Sequence, residues 1–121
     1  QVRVFDPIAM DECKRRIGDS VTYTSNIYDC ADGADALLLM TEWRQFRLPA
    51  WNVIDKVMKG KVIVDGRNIW NRVDIEKMGY KYTKIGEKII FLFLEPVWIY
   101  AVYVEYCNYE NVNHLFFKCL K

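Results

Sequence analysis

The chain has 121 residues, 52% of them apolar and 27% charged, with 17 basic against 16 acidic side chains. Those figures fit one domain with an ordinary core, exclude bulk disorder, and lack the basic excess expected of a nucleic-acid partner. Four cysteines (Cys13, Cys30, Cys107, Cys119) without CxxC spacing and one histidine, His114, argue against a disulfide framework, a metal site or a histidine-centred triad. A reducing compartment is therefore expected. The opening Gln1-Val2-Arg3-Val4-Phe5 has no initiator methionine and no apolar signal region. It reads as a cut chain that is not exported by an N-terminal signal, and the expected location is cytoplasmic.

Strand and helix signals alternate along residues 1–86. Val2 to Phe5 is a β-prone run. Asp6-Pro7 predicts an N-cap with proline at the first helical position. Met10, Cys13 and Ile17 then share one helical face, and Gly18 stops it. Val21 to Thr24 reads as a short strand, and Ser25-Asn26 as the cap of a short helix ending by Gly33. Ala36 to Met40 is continuously apolar, as a central strand covered on both faces would be. Pro49 opens a helix with Trp51, Ile54 and Met58 on one face. Val62 to Val64 is a second buried strand, followed by Asp65-Gly66-Arg67-Asn68. A short helix over Asp74 to Met78 stops at Gly79, and Tyr80 to Ile85 closes the series as an edge strand.

This alternation predicts an α/β fold, a three-layer, Rossmann-like, mostly parallel sheet with right-handed crossovers. Parallel strands gather the polar residues at their ends along one edge. That edge is where open α/β sheets bind ligands. It collects Asp6, Thr41-Glu42 and Asp65-Gly66-Arg67.

Arg67 is the sharpest candidate. It follows a glycine, which permits close backbone approach, and its guanidinium suits a phosphate or a planar carbonyl. The alternative is an ion pair with a neighbouring carboxylate. Asp65 suits a ribose hydroxyl or, alternatively, caps the following turn. Thr41 and Glu42 line the same crevice, or Thr41 caps a helix while Trp43 packs in the core. Arg44 and Arg47 read as a solvated face, and Cys13 and Cys30 as core. No glycine-rich phosphate loop is present, and no residue is assigned a catalytic or metal-ligating role.

Val4-Phe5-Asp6-Pro7, Ala31-Asp32-Gly33-Ala34-Asp35-Ala36, Thr41-Glu42-Trp43, Phe46-Arg47 and Asp65-Gly66-Arg67-Asn68 together resemble the C-terminal UDP-binding domain of the UDP-glucose/GDP-mannose dehydrogenase family, in its UDP-glucose 6-dehydrogenase branch. Gly79-Tyr80 and Ile85-Gly86 fit the same pattern. The resemblance runs over residues 1–86 and implies a protein that oxidises UDP-glucose to UDP-glucuronate with NAD. It also implies a dimer, an NAD-binding Rossmann domain carrying the catalytic cysteine, and a UDP-binding domain in which Arg67 contacts the nucleotide sugar. The dinucleotide fingerprint, the segment with the nucleophilic cysteine and the opening strand and helix of the UDP-binding domain have no counterpart here. The expectation is a partial domain over residues 1–86 that binds no NAD alone and whose partners are UDP-glucose and the rest of the dehydrogenase. A non-catalytic nucleotide-sugar module, or a related UDP-N-acetylmannosamine or GDP-mannose dehydrogenase, is the alternative.

Residues 87–121 read differently. They hold nine of the eighteen aromatic residues, with 3 basic and 4 acidic side chains against 14 and 12 in residues 1–86. Ile89 to Cys107 approaches the length of a membrane span, but Glu95, Pro96, Glu105 and the lack of basic flanks argue against one. A hairpin around Glu95-Pro96 is the alternative. The uncharged window Ile89 to Leu94 predicts an adhesive tail that docks on an open sheet edge or aggregates.

Overall fold

A computed structural model describes residues 1–84 and 117–120. The hairpin around Glu95-Pro96, the window Ile89 to Leu94, the stretch Ile89 to Cys107, and Ile85, Gly86 and His114 lie outside the described residues. Among the described residues, no helix is long and apolar enough to cross a membrane.

The elements follow the order β1 (Val2–Phe5), α1 (Met10–Ile17), β2 (Thr22–Tyr23), α2 (Ile27–Ala31), β3 (Ala36–Leu39), α3 (Arg44–Arg47), α4 (Trp51–Val57), β4 (Val62–Asp65), α5 (Arg72–Lys77), β5 (Lys81–Lys84) and β6 (Phe117–Leu120). One sheet has the strand order β2-β1-β6-β3-β4-β5. Parallel pairing joins β1 to β2, β3 to β4 and β4 to β5. β6 runs antiparallel to both β1 and β3, so β1 to β5 all point the same way. The result is the expected Rossmann-like α/β sheet. Its order is the 3-2-1-4-5-6 of a doubly wound sheet, with β6 in the place of strand 1 and reversed in direction. The last part of the tail therefore docks at the centre of the sheet, not at its edge.

β3 shows why a continuous apolar run belongs at the centre of such a sheet. Ala36, Leu37, Leu38 and Leu39 are all buried, at 0–4% exposure. Leu37 and Leu39 join the main cluster with Phe46, Ile54, Ile63 and Tyr82, while Ala36 and Leu38 pack on the other face with Val2, Val62 and Val64. This is the alternation of a strand covered on both sides. Phe46 is wholly buried and meets Phe5 edge-to-face at 6.1 Å between ring centres, which ties the β3–α3 segment to β1. Cys13 and Cys30 are buried core residues.

Three local expectations change. Asp6 does not cap α1, which begins at Met10. Its Oδ1 accepts the amides of Ile8 and Ala9 at 2.9 and 2.8 Å, closing a turn one step earlier, because Oδ2 is drawn inward to the indole Nε1 of Trp43 at 2.8 Å. Thr41 caps no helix: α3 starts after Trp43 with no side-chain cap bond. α5 begins at Arg72, two residues before the expected Asp74, because Asn71 Oδ1 accepts from Val73 N at 2.9 Å and from Asp74 N at 3.4 Å.

The Asp6–Trp43 bond crosses from the end of β1 to the segment after β3. Trp43→Phe keeps most of the ring but leaves Asp6 Oδ2 without that donor. A lost bond to a buried charged group costs about 1.5–3 kcal/mol, so the urea unfolding midpoint of Trp43→Phe is expected to fall accordingly. An unchanged midpoint would show that the bond does not help hold β1 to the rest.

Candidate functional site

The turn after β4 is organised by one carboxylate. Asp65 has no exposed surface, yet its two oxygens accept five hydrogen bonds. Oδ1 takes the amides of Arg67 and Asn68 at 2.9 and 2.7 Å. Oδ2 takes the amides of Ile69 and Trp70, both at 2.9 Å, and the hydroxyl of Tyr82 at 2.7 Å. A buried carboxylate is tolerated only when bonded in this way. The turn-capping alternative for Asp65 describes what it does here, since its acceptor sites face the loop's own amides and one core hydroxyl.

That arrangement dictates the two residues around Arg67. Gly66 donates its amide to Leu39 O at 2.7 Å. A Cβ at Gly66 would stand 2.7 Å from that same oxygen and 3.2 Å from Met40 Sδ, so the close approach to β3 requires glycine. Asn68 has φ of 56° and is the one non-glycine residue with positive φ among those described. Asparagine is among the few side chains that tolerate this left-handed conformation.

Arg67 stands between them with its side chain turned outward and 43% exposed. Its Nη2 lies 3.2 Å from Glu42 Oε1. The other carboxylate oxygen, Glu42 Oε2, meets Arg47 Nη2 at 3.4 Å. The structure thus brings Arg67, Gly66 and Glu42 together at the carboxyl ends of β3 and β4, with Arg47 as a further cation on the same carboxylate. The ion-pair alternative for Arg67 is present, and both partners are about half exposed. Such a pair is worth under about 1 kcal/mol, so it leaves the guanidinium free to exchange Glu42 for an anion. Thr41, beside Glu42, has a buried hydroxyl without a hydrogen-bond partner.

Sequence inspection missed how the strand ends are stitched together. From β1 the links run Asp6 to Trp43 Nε1 at 2.8 Å, Phe46 O to Trp70 Nε1 at 2.8 Å, Trp70 N to Asp65, and Asp65 to Tyr82 on β5. Two indoles and two buried carboxylates therefore join the ends of β1, β3, β4 and β5. The signal available beforehand was two aspartates directly at strand ends and tryptophans a few residues beyond strands.

Two other groups of residues contribute nothing to this edge. On α1, Arg15 and Arg16 bond Glu12 at 2.7 and 2.5 Å. Arg15 and then Arg16 hold its carboxyl down to about 2, but this is an exposed ion cluster on a solvated helix. Among the described residues, no three His, Cys, Asp or Glu side chains converge as metal ligands. The turn between β1 and α1 holds the buried carboxylate of Asp6 and contains no glycine of the kind that cradles a pyrophosphate.

A doubly wound sheet places an arginine loop at the carboxyl edge where open α/β sheets carry their ligand sites. The sequence matches the UDP-binding domain of the UDP-glucose/GDP-mannose dehydrogenase family over residues 1–72, and the chain belongs to that family. It is similar to the UDP-glucose 6-dehydrogenase TuaD of Bacillus subtilis, with 30% identity over 89 residues covering 74% of this chain and 19% of the relative. The UDP-glucose 6-dehydrogenase of Pseudomonas aeruginosa is 36% identical over 91 residues, covering 71% of this chain and 20% of that protein. That of Rickettsia conorii is 30% identical over 89 residues, covering 73% and 21%. The chain spans about a fifth of the length of these relatives.

Asp65→Asn turns one of the two acceptor oxygens into a donor that faces amides or a hydroxyl. With charge-assisted bonds at about 1.5–3 kcal/mol each, and at least two of them lost, destabilisation of about 3 kcal/mol or more is expected in chemical denaturation. Loss of less than about 1 kcal/mol would mean that the carboxylate does not organise the turn.

Proposed function

We propose that this chain is the UDP-sugar-binding part of an NAD-dependent UDP-glucose 6-dehydrogenase and that Arg67 contacts the nucleotide sugar. The observation that carries it is the outward-facing Arg67 on a loop held rigid by Asp65, at the ligand-binding edge of the fold, inside the segment matched to the family's UDP-binding domain. The guanidinium presents paired donors suited to a phosphate or to a planar carbonyl. Gly66 lets the loop lie against β3, and Asp65 acts by shaping the loop. Glu42 holds Arg67 and Arg47 at the crevice until an anion replaces it, and the Thr41 hydroxyl stands beside it with its hydrogen bond unmade.

In this reading NAD supplies the oxidising chemistry and is held by another part of the dehydrogenase, where the reacting cysteine also resides. The residues described here bind and orient the UDP end of the substrate. Their partners are UDP-glucose and the remainder of the enzyme, which forms a homodimer in the cytoplasm. Purified chain given UDP-glucose and NAD should therefore generate no reduced nicotinamide. Steady turnover would contradict the assignment of chemistry to the rest of the enzyme.

Calorimetric titration with UDP-glucose tests the site itself. Arg67→Ala removes a charge-assisted contact worth about 1.5–3 kcal/mol, a loss of roughly 10- to 100-fold in affinity. Thermal stability should barely change, since only an exposed ion pair is lost with it. Arg67→Lys keeps the charge but not the planar fork, and should recover only part of the affinity. Equal affinity for the wild type and Arg67→Ala would remove Arg67 from the site.

A further inference from the structure

Arg47 and Arg67 come from different segments, yet one buried frame mounts both. Asp65 accepts the amides of Arg67 and Trp70, each at 2.9 Å. The indole Nε1 of the same Trp70 donates to Phe46 O at 2.8 Å, and Arg47 is the next residue. Phe46 and Asp65 have no exposed surface. The backbones that carry the two arginines are therefore tied to each other through a single tryptophan.

Their side chains reach outward to one carboxylate. Glu42 Oε1 lies 3.2 Å from Arg67 Nη2, and Oε2 lies 3.4 Å from Arg47 Nη2. Among the described residues, Glu42 is the one carboxylate paired with either guanidinium, so one negative charge faces two positive ones. All three side chains are about half exposed, and exposed pairs of this kind are weak. Arg44, on the same short helix, does not join them.

A carboxylate bridging two guanidiniums presents oxygens for charge-assisted bonds, as a phosphoryl group does. A diphosphate brings more oxygens and more charge than one carboxylate. We infer that Glu42 occupies the seat of the ligand's diphosphate as an internal competitor, and that Arg47 is a second phosphate-binding residue beside Arg67. Binding exchanges two weak ion pairs for contacts to the diphosphate. Glu42 therefore lowers the affinity for a nucleoside diphosphate, the opposite of what a ligand contact or a support of the site would do. The inference rests on the nucleotide-sugar assignment and adds Arg47 and the competing role of Glu42 to it.

Calorimetric titration of the full chain with UDP tests this, with uridine as the uncharged probe. Glu42→Gln should bind UDP roughly 3- to 30-fold more tightly, the effect of releasing one or two surface pairs, and should bind uridine as the wild type does. Arg47→Ala should lose about 10-fold in UDP affinity. Arg44→Ala removes the same charge from the same helix and should lose less than about twofold. Arg47→Ala should lose more in the Glu42→Gln background than alone, because the guanidinium is then no longer occupied. Weaker or unchanged UDP binding by Glu42→Gln overturns the inference, since Glu42 then supports the site or stands outside it. A gain that is the same with and without Arg47, or that extends to uridine, overturns it as well. If Arg67→Ala loses UDP affinity while Arg47→Ala and Glu42→Gln match the wild type, the inference falls and the nucleotide-sugar assignment stands. If neither the wild type nor Glu42→Gln binds UDP, both fall.

Discussion

Five hydrogen bonds converge on the two oxygens of Asp65, and the geometry of the loop after β4 follows from them. A carboxylate with no exposed surface would be strongly destabilising if it were left unbonded. Its four amide donors come from consecutive residues, Arg67 to Trp70, so the chain must curl around it. The curl forces Asn68 into a left-handed conformation and brings Gly66 against the carbonyl of Leu39. Arg67, between them, has no inward direction left to take. Its outward placement beside Glu42 is a consequence of backbone geometry and does not depend on a strong ion pair. In the binding role proposed for Arg67, its backbone has little further conformational freedom to lose.

The same economy extends along the edge. Trp43 and Trp70 each donate an indole N–H across a gap between elements, to Asp6 and to Phe46 O. Tyr82 closes the series on Asp65. The ends of β1, β3, β4 and β5 are thereby linked where ligands of this fold class bind. The centre of the sheet is built differently. There, β6 supplies backbone pairing to both β1 and β3 in the direction opposite to the other strands. Linkage at the edge is through side chains, and linkage at the centre is through backbone from the far end of the chain.

What could be read from sequence was local. The run Ala36 to Met40 announced a strand buried on both faces, because no polar residue interrupts it, and all four residues of β3 are buried. The Asp-Gly-Arg-Asn turn announced a strand end with an exposed cation. The capping role weighed for Asp65 and the ion pair weighed for Arg67 both occur. The double duty of Asp6 was not legible, since its inward pull comes from Trp43, 37 residues away. The start of α3 was not legible, because four residues with one buried side chain, Phe46, carry no periodicity and no side chain caps them. The place of residues 117–120 at the sheet centre was not legible, because strand register depends on partners distant in sequence.

Membership of the UDP-glucose/GDP-mannose dehydrogenase family rests on the match over residues 1–72, and the binding role proposed for Arg67 rests on the geometry of one loop. The most direct measurement of that role is amide chemical-shift mapping of the isotopically labelled chain during titration with UDP-glucose. The account predicts saturable shifts concentrated at Gly66, Arg67, Asn68 and the Thr41–Trp43 segment, with β2 and α1 unmoved. Saturable shifts confined to other surfaces, or no shifts in a chain whose spectrum shows the folded sheet, would contradict it.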